Sequence, residues 1–170
     1  MNGAAAHPHR AFRDVLGTFP TGVTVITTLG LPERRPVGIT VNSFSSVSLD
    51  PPLALWSLSR RSPNLAQFPP GKGHVIHILS QQQAPMALQF ARPTADKFSG
   101  VDYRLDEGTG APAIEGCVAR LYCETASLTE AGDHLVIISR VLRHEIADGS
   151  PLVFYRGAFV ALGDRATIDA

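Results

Sequence analysis

Two long runs of alternating apolar and polar residues, Cys117 to Leu128 and His134 to Ile146, are joined by a loop carrying Gly132-Asp133. Alternation with a period of two marks a half-buried strand. A short connection between two such runs makes them antiparallel neighbours. The rest of the chain repeats the theme. Val23 to Thr28, Val37 to Asn42, Leu53 to Leu58, His74 to Leu79, Leu152 to Tyr155 and Ala158 to Leu162 read as further strands bounded by turn residues. A short helix is expected over Arg10 to Phe19, where Phe12, Val15, Leu16 and Phe19 form one apolar stripe before Pro20-Thr21-Gly22 stops it. Ser62 to Phe68 reads as a helical turn or two. Pro85 suits the first turn of a second helix reaching Phe90 or Ala91, and residues 92–112 read as irregular. Strands follow strands through short turns. The expected fold is therefore mainly β with short helices, antiparallel, and closed as a barrel.

A length of 170 residues suits one domain with a substantial core. Residues 1–9 read as a flexible tail and residues 10–170 as a single domain. Fifteen basic residues balance 15 acidic ones. A dedicated nucleic-acid binder would carry a basic excess, so that class is disfavoured. No apolar run approaches the roughly 20 residues that span a bilayer. Met1 to Arg10 is small and polar, unlike a secretory signal. Cys117 and Cys123 are too few for a disulfide framework. If their run is one strand, they point to one face but lie about 20 Å apart, beyond the reach of a bridge. These features suit a reducing, cytoplasmic setting.

Several familiar chemistries are absent. The chain has no Gly-x-Gly-x-x-Gly fingerprint, no P-loop, no His-Glu-x-x-His and no Gly-x-Ser-x-Gly elbow. Neither cysteine has a partner at zinc-finger spacing, so no metal is expected. What stands out is Gly38 to Pro52, rich in serine and threonine, with Asn42 adding an amide. Such a run suits an uncharged polar ligand edge or a phosphate, and equally a solvated edge strand. Leu55 to Ser62 adds Arg60, Arg61 and three serines, and Phe90 to Phe98 adds two aromatics and two cations. Gly132-Asp133-His134 sets an imidazole at the mouth of a strand, and Tyr155-Arg156-Gly157 lies between the last two strands.

In this order the motifs resemble the flavin reductase family, the reductase component of two-component flavin-dependent monooxygenases. The matching landmarks are Thr21 to Thr28, Thr40 to Ser48 with Asp50-Pro51-Pro52, Phe90-Ala91 with Asp96-Lys97-Phe98, Gly132-Asp133-His134, and Pro151-Leu152 with Tyr155-Arg156-Gly157. The resemblance covers residues 10–162. It implies a split β-barrel, a homodimer, FMN (or FAD) as the flavin, and NADH or NADPH as hydride donor for a partner oxygenase. It places Thr40, Val41, Asn42 and Ser43 along the flavin ring or ribityl chain. Ser57, Leu58 and Ser59 are to present backbone groups along the ring edge. Ser62, Arg92 and Lys97 form the phosphate side, flanked by Phe90 and Ala91. His134 matches a histidine near the nicotinamide, and Tyr155 and Arg156 complete that face. Trp56 departs from the family's smaller residue. Strand alternation sets it opposite Ser57 and so in the core.

This residue inventory suffices for hydride transfer, which needs neither a nucleophile nor a strong acid; the flavin carries the chemistry and the protein binds and orients. The same motifs would also serve a flavin carrier or sensor without turnover.

Overall fold

The computed structural model describes residues 8–94 and 96–163. Helix α1 (Pro8–Leu16) is followed by strands β1 (Thr21–Gly22), β2 (Thr24–Leu29), β3 (Pro36–Val41), β4 (Ser45–Leu49) and β5 (Pro52–Ser59). After β6 (Gly73–Ile78) comes helix α2 (Ala84–Ala91), then β7 (Tyr103–Leu105), β8 (Pro112–Ile114), β9 (Ala119–Ala131), β10 (His134–Ile146), β11 (Val153–Tyr155) and β12 (Ala158–Val160). The main sheet has seven strands in the order β3-β2-β6-β9-β10-β5-β4, and every pairing is antiparallel. The sheet is built on the β9–β10 hairpin. His134 lies opposite Ala131 across a two-residue turn, and Gly132 takes a φ of 62°, which a side chain would resist.

The strand order explains the barrel. β3 and β4 are consecutive in the chain yet lie at opposite edges of the sheet. Only Asn42, Ser43 and Phe44 separate Val41 from Ser45, so the two edges approach within about 14 Å. A seven-stranded sheet meets that constraint only by curling on itself. The β3 and β4 edges do not pair with each other, so the barrel is split along this seam. The fold is mainly β, as the sequence implies.

Burial follows alternation. Every residue of β2 is buried, because both its faces are covered. Ile26 joins Val41, Trp56, Leu58, Phe68, Ile76, Cys123 and Ile137 inside the barrel. Val25 faces outward onto Leu79, Ala87 and Phe90, where α2 packs on the sheet. Trp56 is fully buried, as its alternation requires. Its indole N–H donates to Ser139 Oγ at 3.1 Å, and that hydroxyl lies 2.8 Å from His74 Nε2. His74 Nδ1 lies 3.2 Å from the Lys72 carbonyl. A neutral His74, protonated on Nδ1, satisfies every polar atom of this buried chain.

Local outcomes differ from expectation in several places. Helix α1 begins at Pro8, inside the stretch read as a tail, and ends at Leu16 in a turn closed by Gly17 N–H on the Arg13 carbonyl; residues 1–7 lie outside the described residues. Its apolar stripe is uncovered, with Phe12 63% and Phe19 74% exposed. Thr21-Gly22, read as the stop after the first helix, pairs with β11 in a small three-stranded sheet β1-β11-β12. The stretch read as irregular holds β7, which pairs with β8. Cys117 precedes β9, and burial pushes the two thiols up to about 11 and about 12.

Candidate functional site

The hydroxyl-rich segment divides at the seam. Ser45–Leu49 is an exposed edge strand, so that half of the segment is solvated. Thr40, Val41, Asn42 and Ser43 instead line a cavity of about 270 Å³, together with Ile39, Ser57, Leu58, Ser59 and His134. Register brings them together. His134 opens β10 directly opposite Ser59 of β5, so the imidazole faces the Ser57–Ser59 edge. Across the seam, Ser43 Oγ accepts the Ser57 N–H at 2.9 Å, tying the two walls to each other.

Within this cavity some polar groups are engaged and others are free. Thr40 donates its hydroxyl to the Ala87 carbonyl of α2 at 2.6 Å. Ser59 Oγ accepts the Arg61 N–H. Asn42 carries an amide at the cavity's rim, and among the described residues the outer edge of β3 has no strand partner. Asp133 Oδ1 lies 2.8 Å from His134 Nδ1, which leaves Nε2 for a ligand. The His134 hydrogen bond is the leading cause that holds the Asp133 carboxyl below its ordinary value. Val41 and Leu58 supply the apolar floor and are nearly buried. A planar ligand with a hydrogen-bonding edge fits this donor set, as the isoalloxazine of a flavin requires.

A second cavity, about 370 Å³, lies farther along β3 and is lined by Pro36, Val37, Gly38, Pro63, Asn64, Pro93, Thr94 and Lys97. Lys97 is the predicted phosphate cation that reaches it. Its ammonium donates to the Phe90 carbonyl at 2.8 Å and to the Gly38 carbonyl at 3.3 Å. It therefore sits at the C-terminal end of α2, where the helix dipole favours a cation. Burial lowers its pKa.

Four residues predicted for the phosphate side sit elsewhere. Phe90 is fully buried in the core against Phe98, at 4.9 Å between ring centroids, so its ring cannot flank a ligand. Its carbonyl holds the Lys97 ammonium. Ala91 and Arg92 are exposed at the end of α2 and line neither cavity. Ser62 Oγ accepts the Asn64 N–H in a local turn. Of the two arginines after β5, Arg60 pairs with Glu130 at 3.1 Å, both exposed.

Arg156 lines a third and larger space, about 670 Å³, with Arg13, Asp14, Leu16, Gly17, Phe19, Thr21, Asn42, Phe154 and Gly157. Tyr155 is half-buried beside it, with the Arg156 guanidinium 5.5 Å from its ring centroid. Sequence reasoning missed Gly38. A Cβ there would overlap the Phe90 ring, so only glycine lets β3 pack under α2. It also missed Arg13 and Asn64, which carry no local signal. Among the described residues no group of three or more histidines, cysteines or carboxylates is placed to hold a metal ion. No helix there is long and apolar enough to cross a membrane.

Known proteins similar to this chain point one way. FMN reductase (NADH) SmoA of Agrobacterium fabrum is 45% identical over 88% of this chain and 84% of its own. HsaB of Rhodococcus jostii, the reductase subunit of a flavin-dependent monooxygenase, is 35% identical over 98% of this chain and 85% of its own. The solved structure of the NADH:FAD oxidoreductase SgcE6 of Streptomyces globisporus superposes with a TM-score of 0.85 at 33% identity. That superposition covers 100% of this chain and 96% of that one. Residues 16–163 match the family described as the flavin reductase like domain, and the chain belongs to that family.

Proposed function

We propose that this chain reduces FMN or FAD with NADH or NADPH and passes the reduced flavin to a partner monooxygenase. The observation that carries this reading is the seam cavity, where the free edge of β3, Asn42, Ser57 and His134 converge on one space. The names of SmoA, HsaB and SgcE6 support it. When bound, the flavin would supply the hydride acceptor, and transfer from the nicotinamide would need the two held close and aligned. The chain's residues meet that need by orientation. Asn42 and the backbone of Ser57 to Ser59 fix one ring edge. Val41 and Leu58 exclude water beneath it. His134, held by Asp133, positions the nicotinamide above. Lys97, in the adjoining cavity, neutralises the phosphate. The reading extends to a cytoplasmic homodimer, in keeping with the family resemblance.

The test is loss of nicotinamide absorbance with purified protein, with and without FMN, repeated with FAD and with NADPH. Flavin-dependent oxidation well above the uncatalysed rate is the expected result. Tight flavin binding without turnover would replace the reductase with a carrier or sensor.

A further inference from the structure

One hydroxyl at the seam stands where a ligand edge has to bind. The ladder between β5 and β10 runs through the Arg60 N–H on the Asp133 carbonyl at 2.9 Å. With His134 opposite Ser59 and Val136 opposite Ser57, antiparallel alternation turns the N–H and C=O of Ser57 away from β10 and toward the seam. β4 covers that edge of β5 only as far as Ser45 opposite Leu55. Ser57 is the first residue beyond it with seam-facing groups, and Ser43 fills them. The Ser43 Oγ accepts the Ser57 N–H at 2.9 Å and donates toward the Ser57 carbonyl at 3.4 Å. We propose that Ser43 is an exchange latch: its hydroxyl competes with the flavin's pyrimidine edge for Ser57, so that flavin is released as a substrate and not kept as a prosthetic group. The assignment rests on the reductase reading and deepens it.

The two competitors make the same demand. A hydroxyl offers one donor and two acceptor lone pairs. The pyrimidine edge of an isoalloxazine offers a ring N–H between two carbonyls, again a donor beside an acceptor. Ser57 has a single N–H, so it serves one of them at a time. Ser59, the next seam-facing residue, has its carbonyl taken by the Ser62 N–H at 2.9 Å. The adjacent donor and acceptor of Ser57 are therefore what a two-point ligand edge needs. Displacing Ser43 disturbs little else. Val41 is nearly buried and Phe44 packs against the barrel core, so the backbone on both sides of Asn42-Ser43 is anchored. Ser43 itself is exposed, and its hydroxyl leaves Ser57 by rotation about χ1 from one staggered position to another. Thr40 cannot play this part, since its hydroxyl is engaged by the Ala87 carbonyl of α2. Each time the ring edge lifts from Ser57, Ser43 recaptures the N–H. That raises the rate of release more than it changes the rate of association.

The sign of one substitution separates a latch from an ordinary ligand contact. Ser43→Ala removes the competing hydroxyl. FMN or FAD, whichever the parent reduces faster, should then bind about fivefold tighter when titrated by flavin fluorescence, the worth of one exchanged hydrogen bond. Rapid-mixing displacement should show flavin release slowed by a similar factor. Ser43→Thr keeps a hydroxyl and should stay near the parent in both. A third readout needs no flavin: the Ser57 amide hydrogen, followed by NMR, should exchange faster in Ser43→Ala than in the parent. Weaker flavin binding in Ser43→Ala makes Ser43 a direct flavin contact and overturns the latch. Unchanged affinity and release overturn it too, as does a Ser57 amide whose exchange ignores the substitution. Wild-type protein that binds no flavin and oxidises no NADH overturns the reductase reading and the latch with it.

Discussion

Acid should unfold this protein by charging two histidines that have no room for a charge. His74 and His77 are fully buried, and burial pushes each from its ordinary 6.5 down to about 4. His77 Nδ1 lies 2.8 Å from the Val25 carbonyl, and its Nε2 accepts the Ile114 N–H at 2.9 Å, so the neutral ring is fully bonded. Because the folded values are lowered, the unfolded chain binds more protons between pH 6.5 and about 4. Stability is complete above that window and is lost as pH falls through it. From about pH 7.5 to about pH 5, each histidine removes about 2 kcal/mol, so the pair removes about 4 kcal/mol. That is a large share of a typical stability of about 5–15 kcal/mol. Carboxylates act lower. Burial alone would raise Asp106, but hydrogen bonds from Thr109 and Arg143 hold it below its ordinary 3.8. The assay is urea unfolding at several pH values, read by the fluorescence of Trp56, the chain's single tryptophan, which packs against His74 with ring centroids 6.1 Å apart. The urea midpoint should fall steadily across the window, and His77→Gln should roughly halve the slope. A midpoint that does not move between about pH 7.5 and about pH 5 would refute the argument, as would a His77→Gln slope equal to that of the parent.

Three further outcomes test the site. Lys97→Ala should weaken FMN more than riboflavin, which lacks the phosphate, by about tenfold; equal losses measured by flavin fluorescence would remove Lys97 from the phosphate role. Gly38→Ala drives a methyl into the Phe90 ring and should cost about 1–3 kcal/mol in urea unfolding, with weakened flavin binding as α2 shifts against β3; unchanged stability would mean that α2 gives way freely. His134→Ala should raise the KM for NADH and slow hydride transfer in rapid-mixing experiments; if both stay as in the parent, the imidazole does not position the nicotinamide.

Much of the fold is legible in the chain because alternation is a local signal. The β9 and β10 runs, the burial of Trp56 and the Pro85 helix all follow from residue periodicity and turn chemistry. The short hairpin of β7 and β8 is not legible, since three-residue strands leave no period to read. Helix α1 shows its stripe plainly, yet the stripe faces outward. An apolar stripe says that something should cover a face, without saying what.

By itself the sequence determined where the longer strands run and which faces are apolar, and it marked Asn42, Ser43 and His134 as candidate ligand groups. Tertiary structure decided which of those groups share a space. Barrel closure brings β3 and β5 together across the seam, so Ser43 bonds Ser57 while Ser45–Leu49 turns outward as an exposed edge. Packing of α2 converts Phe90 from a candidate ligand contact into core and directs the Lys97 ammonium at backbone carbonyls. Pairing of β1 with β11, together with the Arg156–Gly17 bond, sets Arg13 and Arg156 around one cavity from opposite ends of the chain. The physical reason is range. Period and propensity are set by neighbours a few residues apart, whereas the sites form where long-range strand pairing leaves an edge unpaired.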